Sequence, residues 1–560
     1  MQTKHHSSKS KHNLQPAKSL EKQKKFRHRK DYWSWIVLAI IILFTAAIRI
    51  RLLEIPLERD EGEFAYMGQL MLQGIPPYLI AFNMKLPGIY AIYALIMAIF
   101  GQTITGIHLG LMVANSIAIA LLFLLTRYLF DKTVAIVAAI SYALLSLSPS
   151  VLGTSAHATQ FIVPFALGGT IVLLKAIDSK NIKMFFISGL LFGLAFTIKQ
   201  HAIFFIAFAL SYFTLKTITA RPINPKRLIA GNSLLLIGAA LPFLLSCAIL
   251  YNAGVFSKFL FWTFTYADEY ASIVSLPDAL QIFMKAVPQV IDSWYFLWII
   301  AGIGLTSIFW NDKSRTNRYF LLGFFFFSFL TVCPGFYFRK HYFIPLLPAI
   351  AMLAGVATTA SIQWLYEKKI APLVQIIPGF IIAAAIIYPV VNLGDFFFKA
   401  TPVAACRMMY GLNPFPESIK IAEYIKAHTN KDDRIAVIGS EPQIYFYADR
   451  KSATGYIYTY GLMEPHSYAS KMQLEFIREI ETSRPQYIVF VNVTTSWLPR
   501  PDSDKTIIKW AETFLKQNYT TVGLIDNVSN DNYQIYWDEE ARRNEPLSPN
   551  NLFVVKRNIK

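Results

Sequence analysis

The sequence predicts a mainly α integral membrane protein: a bundle of about eleven transmembrane helices with interfacial helices, plus a small α/β domain at the C-terminal end. Three observations carry this. First, the 560 residues are 54% hydrophobic and only 16% charged, and the mean hydropathy is +0.40. Many apolar runs approach the ~20 residues that cross hydrocarbon. Second, the cations behind the net charge of +18 sit mainly in short loops between those runs. The positive-inside rule distributes them that way, so the charge reads as membrane orientation and nucleic acid is excluded as partner. Third, from about Thr401 the apolar runs give way to alternating helix-like and strand-like segments.

The elements follow in order. Residues 1–31 are polar and rich in Lys, Ser and His, and read as a disordered basic cytoplasmic tail. The first apolar run is then an uncleaved anchor. The expected spans are about 33–52, 107–126, 133–149, 159–176, 183–198, 201–216, 228–251, 292–310, 319–332, 342–361 and 371–391. The apolar stretch Pro87 to Gly101 decides the topology. As a helix it is only ~22 Å long, against ~30 Å of hydrocarbon, so it reads as an interfacial helix. Leaving it out of the count places Arg127 and Lys132, Lys175, Lys180 and Lys183, Lys216, Arg221, Lys226 and Arg227, Lys313, Arg315 and Arg318, and Lys368 and Lys369 on the side of the basic tail. Counting it as a span moves all of them across, against the rule. The membrane domain is accordingly 32–398, with a first outer loop over 53–106.

Residues 399–560 form the expected extracytoplasmic domain. Glu417–His428, Ser467–Thr482 and Ile507–Gln517 read as helices; Arg434–Gly439, Gln486–Val493, Thr520–Ile525 and Tyr533–Trp537 read as strands. The alternation implies a largely parallel sheet. No GxGxxG follows a strand and no P-loop occurs, so no nucleotide is assigned. Cys247, Cys333 and Cys406 have neither metal-like spacing nor a disulfide pattern.

The unusual polar residues converge on the outer loops. Arg59-Asp60-Glu61-Gly62-Glu63 places three carboxylates within four residues just beyond the first span, and acids there are costly unless functional. Phe64, Met67, Leu70 and Met71 follow at helical spacing, so the segment reads as an amphipathic helix resting in the interface. Its acids also suit the positive end of the helix dipole. Lys85 opens the second interfacial helix, where it can also snorkel to headgroups. Lys199-Gln200-His201 separates two spans with almost no loop. Arg339, in Phe338-Arg339-Lys340-His341-Tyr342, has the geometry to grip a phosphate with two hydrogen bonds. Asp268 and Glu269 lie among Phe264, Tyr266 and Tyr270 and suit a sugar site, although packing is the simpler role. The aromatic run Tyr456-Ile457-Tyr458-Thr459-Tyr460 reads first as packing and second as a glycan contact.

This combination resembles the integral-membrane glycosyltransferases of GT-C type that use a polyprenyl-phosphate sugar, among them protein O-mannosyltransferases and the aminoarabinose transferases of lipid A. The similarity rests on Asp60-Glu61-Gly62-Glu63-Phe64-Ala65-Tyr66 in the first outer loop, on Lys85-Leu86-Pro87, and on Arg339-Lys340-His341-Tyr342-Phe343 with Leu347-Pro348. Aminoarabinose transferases usually carry Asp-Glu-x-Arg-Tyr-Ala-Glu, whereas Glu63 stands at the Arg position here. The departure favours the broad bacterial family 39-like group over lipid A modification.

The resemblance implies transfer of a sugar from a polyprenyl-phosphate donor to an acceptor hydroxyl on protein, lipid or cell-envelope polysaccharide, at the outer face of a bacterial inner membrane. By the resemblance Asp60 is the general base and Glu61 orients it, the acceptor or the sugar. Lys85, Arg339, His341 and Lys199 meet the donor phosphate. Glu63, Tyr66, Asp268, Glu269 and Tyr342 contact substrate. No cofactor is required, although Asp60, Glu61 and Glu63 are hard oxygen ligands suited to Mg²⁺ or Mn²⁺. The competing class is a multi-span lipid or glycolipid transporter, for which midplane charges or paired broken helices would be the sign.

Overall fold

The computed structural model describes residues 32–179, 181–220, 222–529 and 532–558. The tail expected over 1–31 lies outside these, as do Lys180 and Arg221. Each of the eleven expected spans coincides with a helix. Seven are long and apolar enough to cross a membrane: Tyr32–Arg51, Ile104–Leu129, Ala158–Asp178, Gln200–Thr219, Pro225–Asn252, Lys340–Glu367 and Pro372–Asn392. Leu276–Ile291 and Tyr295–Phe309 make an eighth if counted together, bent by 108°. Lys132–Leu145, Lys183–Ile198 and Arg318–Leu330 are shorter apolar helices. The protein is a multi-pass membrane protein.

The charged connections gather at one end of the bundle. Lys313 pairs with Asp131 at 3.1 Å. Arg227 donates to the carbonyls of Ala176, Ile177 and Ser179, and Asn317 to that of Leu129. At the other end, two arginines in the last turn of the first span staple distant loops to it. Arg49 donates to the carbonyls of Ser146 and Gly153. Arg51 donates to those of Phe396, Phe397 and Ala400, satisfying groups that a helix end leaves open.

The first interfacial segment is the helix Arg59–Leu72, but it does not rest on lipid. Arg59 and Glu61 through Leu70 are all buried. Its apolar side packs on the second interfacial helix, Pro87–Phe100, through Phe64 against Tyr90 and Tyr93. Its polar side is covered by the C-terminal segment, where Tyr66 lies on Tyr445 and its hydroxyl accepts from the Ser452 amide. The helical period was readable in the sequence; the cover supplied from nearly four hundred residues away was not. At Gly62 the two parts touch by backbone, since a Cβ there would meet the Gln443 nitrogen at 2.6 Å.

The C-terminal segment holds a six-stranded sheet: β1 Arg434–Ile438, β2 Lys451–Ser452, β3 Tyr487–Asn492, β4 Tyr519–Ser529, β5 Asn532–Trp537 and β6 Asn551–Arg557. The order is β2-β1-β3-β6-β4-β5. The expected parallel character holds only for β1 with its neighbours β2 and β3; the other three pairings are antiparallel. The reason lies in two strands outside the helix–strand alternation. β6 inserts between β3 and β4, pairing antiparallel to both, while β4 and β5 form a hairpin. Helices Phe415–Ala427, Ala469–Ser483 and Thr506–Asn518 match the expected ones closely.

The backbone contact at Gly62 generates a test. Gly62→Ala should destabilise the detergent-solubilised protein by about 1–3 kcal/mol through overpacking and loosen the C-terminal segment to limited proteolysis. Gly379→Ala, on a helix with open space around it, should leave melting unchanged or raise it slightly. Equal melting of the two variants would remove Gly62 as a docking point.

Candidate functional site

Three consecutive residues at the start of helix Arg59–Leu72 point three ways. Arg59 reaches the C-terminal segment, donating to Asn413 Oδ1 at 2.6 Å and to Glu441 Oε1 at 2.7 Å. Glu61 reaches the membrane helices: Oε1 accepts from the Ala156 amide at 2.5 Å and lies 3.0 Å from His108 Nε2. Its other oxygen accepts from the Glu58 amide, while Glu58 accepts from the Glu61 amide, a reciprocal capping box. Asp60 between them is left facing a cavity of about 460 Å³.

Around Asp60 the groups are cationic or aromatic. Lys85 Nζ lies 3.6 Å from Oδ1, and the Tyr458 hydroxyl donates to the same oxygen at 3.4 Å. His157 Nδ1 and His341 Nε2 each lie 4.0 Å from Oδ2. The two imidazoles stack on each other, with centroids 4.1 Å apart. Lys199 sits 4.0 Å over the Tyr342 ring, a cation–π contact, and Arg339 lies over Tyr337. Lys85, Lys199, Arg339, His341 and Tyr342 all line the cavity with Asp60. Among the described residues no carboxylate lies within ion-pair distance of Arg339 or Lys199. Arg339 and Lys199, which line the cavity without a carboxylate partner, suit an anionic ligand.

The titration of these groups agrees. Burial would raise the Asp60 carboxyl, but Lys85 above all, then His157, Arg339 and Lys199, hold it down at about 2. Burial, helped by Lys85 and Arg339, pushes Lys199 down to about 7. Burial pushes the His157 ring down to about 4, so it is neutral at pH 7. Burial also lifts Glu63 to about 8. The Asp60 carboxylate is therefore ionised throughout the physiological range, and Lys199 is poised to hold or release a proton near neutrality.

Asp60, His157 and His341 bring their ligand atoms within 4.8 Å of one another, a carboxylate and two imidazoles, a set that suits a transition metal or zinc. Both His157 nitrogens are buried without a hydrogen-bond partner, so the ligands are available. Against this, the two rings are stacked face to face at 11°, and Lys85 already neutralises Asp60. The donor set fits a divalent ion in chemistry, in competition with the protein's own cations.

The structure gathers Asp60, Lys85, Lys199, Asp268, Arg339, His341 and Tyr342 at one cavity, as the sequence reading expects. It holds four others away from it. Glu61 is wholly buried in its own hydrogen bonds. Glu63 accepts from Asn83 at 2.6 Å and Tyr90 at 2.8 Å behind the helix. Tyr66 faces Tyr445, and Glu269 accepts from Ser467. Glu61 leaves the helix about a hundred degrees round from Asp60, while Glu63, nearly one turn on, is held back by its hydrogen bonds to Asn83 and Tyr90. Sequence reasoning missed His157, in the polar loop before Ala158–Asp178, and the C-terminal wall of Tyr456, Tyr458, Tyr460 and Glu464. The one available signal was the aromatic run, read first as packing.

Residues 84–246 match the family described as dolichyl-phosphate-mannose-protein mannosyltransferase. No curated protein sequence matches the chain. Among solved structures the chain is similar in fold to ArnT from Cupriavidus metallidurans bound to undecaprenyl phosphate, with TM-score 0.56, 14% identity, and 93% of this chain and 97% of that one covered. It is also similar to the apo oligosaccharyltransferase of Archaeoglobus fulgidus, with TM-score 0.53, 13% identity, and 93% and 76% covered. The archaeal enzyme AglB in complex with an inhibitory peptide and a dolichol-phosphate aligns at TM-score 0.50 and 13% identity, over 93% and 75%. The fold is the GT-C fold.

Glu63 makes a pH test of the site's interior. Its folded pKa of about 8 lies above the ordinary value of 4.5. The stability it contributes is thus fully present below about pH 4.5 and is lost as pH rises through about 8. The melting temperature of the wild type minus that of Glu63→Gln should fall steadily across that window; a constant difference would show that Glu63 is not held protonated.

Proposed function

We propose that the protein is a glycosyltransferase that moves a sugar from a polyprenyl-phosphate carrier to an acceptor hydroxyl at the outer face of the membrane. In this reading residues 32–398 are the membrane catalytic part and 399–560 the extracytoplasmic part, with the N-terminus in the cytoplasm. The observation that carries the reading is one carboxylate, Asp60, set among Lys85, Lys199 and Arg339 in a cavity with an apolar flank. That flank includes Ile203 and Phe264, both exposed on the bundle surface. The family matched over residues 84–246 and the fold shared with two proteins solved with undecaprenyl phosphate or a dolichol-phosphate bound support the same reading. The basic connections at the opposite end of the bundle favour the orientation.

The chemistry follows from the geometry. The carrier phosphate enters among Lys85, Arg339 and Lys199, with its tail against the apolar flank. Asp60 accepts the proton of the acceptor hydroxyl as that oxygen forms a bond to the anomeric carbon. The bond from that carbon to the phosphate oxygen breaks, and the electron pair leaves with the carrier phosphate. Attack opposite the leaving group inverts the anomeric centre. The cations are in place before the leaving oxygen gains charge, so no reorganisation is needed at that moment. A phosphate that draws Lys85 toward itself also releases Asp60 from its strongest partner, making the carboxylate a better base once the donor is bound. The protein's cations supply the neutralisation that a metal would otherwise supply.

The test is transfer by purified protein from a panel of radiolabelled undecaprenyl-phosphate sugars to delipidated cell-envelope acceptor. Asp60→Asn should lower the rate by about 10²–10⁴-fold, and Lys85→Ala and Arg339→Ala should each reduce it strongly. EDTA should leave the wild-type rate unchanged. Equal rates for wild type and Asp60→Asn would remove Asp60 as the base. Loss of rate in EDTA, restored by a divalent ion, would make Asp60, His157 and His341 a metal centre. Folded protein that transfers from no donor would favour the transporter class.

A further inference from the structure

The cavity lining has two chemically different parts. One carries the cations Lys85, Lys199 and Arg339. The other is built jointly by the segment Phe261–Tyr266 and the C-terminal segment, and it carries Trp262, Tyr266, Tyr458, Tyr460 and Glu464. We propose that this second part is the subsite for the transferred sugar, with Glu464 as the residue that reads its hydroxyl groups. The proposal rests on the transferase reading and adds to it where the sugar sits and which chain segment selects it.

The chemistry of the wall supports this. Sugars are bound by aromatic faces against their C–H surfaces and by carboxylates that accept from their hydroxyls. Trp262 is held in an aromatic cluster, stacked on Phe82 at 5.6 Å and edge-on to Tyr266 at 5.1 Å. Tyr460 is fixed by its hydroxyl donating to the Thr495 carbonyl at 2.6 Å and packs edge-on to Tyr458. Glu464 Oε2 accepts from the Tyr266 hydroxyl at 2.8 Å. Its Oε1 takes no hydrogen bond from any described residue, and no described cation lies within ion-pair distance. The carboxylate is oriented by one bond, faces the cavity, and keeps a free acceptor. Tyr458 joins this wall to the reacting carboxylate through its contact with Asp60 Oδ1, so a sugar against the wall lies beside the base, whose same oxygen faces Lys85.

Binding of undecaprenyl phosphate, with and without an attached sugar, separates the roles, using full-length protein in nanodiscs. Wild type should bind at least one sugar-bearing carrier of a glucose, mannose, galactose and arabinose panel more tightly than bare undecaprenyl phosphate. Glu464→Gln should lose about tenfold or more of that sugar-dependent gain, consistent with loss of a hydrogen bond to a charged group, with bare-carrier affinity unchanged. Tyr266→Phe, which frees the carboxylate without removing it, should lose a smaller part. Equal loss for both ligands would make Glu464 structural and overturn the proposal. Unchanged donor binding with a raised KM for acceptor would assign the wall to the acceptor and also overturn it. No gain from any sugar in wild type would mean that no sugar subsite exists. Because binding needs no turnover, a sugar-dependent gain without transfer would sink the transferase reading and leave the subsite standing.

Discussion

Everything at the site depends on the clamping of Asp60 by its two neighbours. Arg59 is tied to Glu441 in the C-terminal segment, and Glu61 to His108 and the Ala156 amide in the membrane part. All four charged or ionisable side chains are buried. Isolated charges in such a place would be prohibitive, and they are tolerated because each is paired and hydrogen-bonded. The rigidity that results is transmitted to one residue. Asp60 has no choice of direction, because the backbone on either side of it is fixed to a different part of the molecule.

The same clamp explains why the C-terminal segment belongs to the site rather than standing beside it. Arg59 with Glu441, Gly62 with Gln443, Tyr66 with Ser452, and the Phe82 amide donating to the Gly455 carbonyl at 2.8 Å form one continuous seam. The seam runs along the interfacial helix and delivers Tyr456 to Tyr460 to the cavity wall. The helix start that carries Asp60 is thereby held between the membrane part and the C-terminal segment.

Much of this was legible in the sequence, and the remainder was hidden for physical reasons. The spans were legible because lipid imposes a length and a composition on them. Asp60, Lys85, Lys199, Arg339 and His341 were legible because charged groups beside apolar runs stand out. Glu63 and Tyr66 stand three and six residues from Asp60 in sequence, yet a helix turns each residue by about a hundred degrees, and only tertiary packing says which face meets the cavity. His157 looked like any polar loop residue until His341 was stacked against it. Strand β6 could not be placed because pairing between strands distant in sequence leaves no local period.

The exposed flank formed by Ile203 and Phe264 bears on supply. In the proposed reading, a cavity flanked by these residues would be filled from the bilayer by diffusion in two dimensions. For a carrier arriving that way, occupancy follows its surface density in the bilayer, not its amount per volume of solution. The spent carrier would then leave along the same path and compete with the next one. Turnover would then respond to whatever recycles the carrier lipid, even with the acceptor in excess.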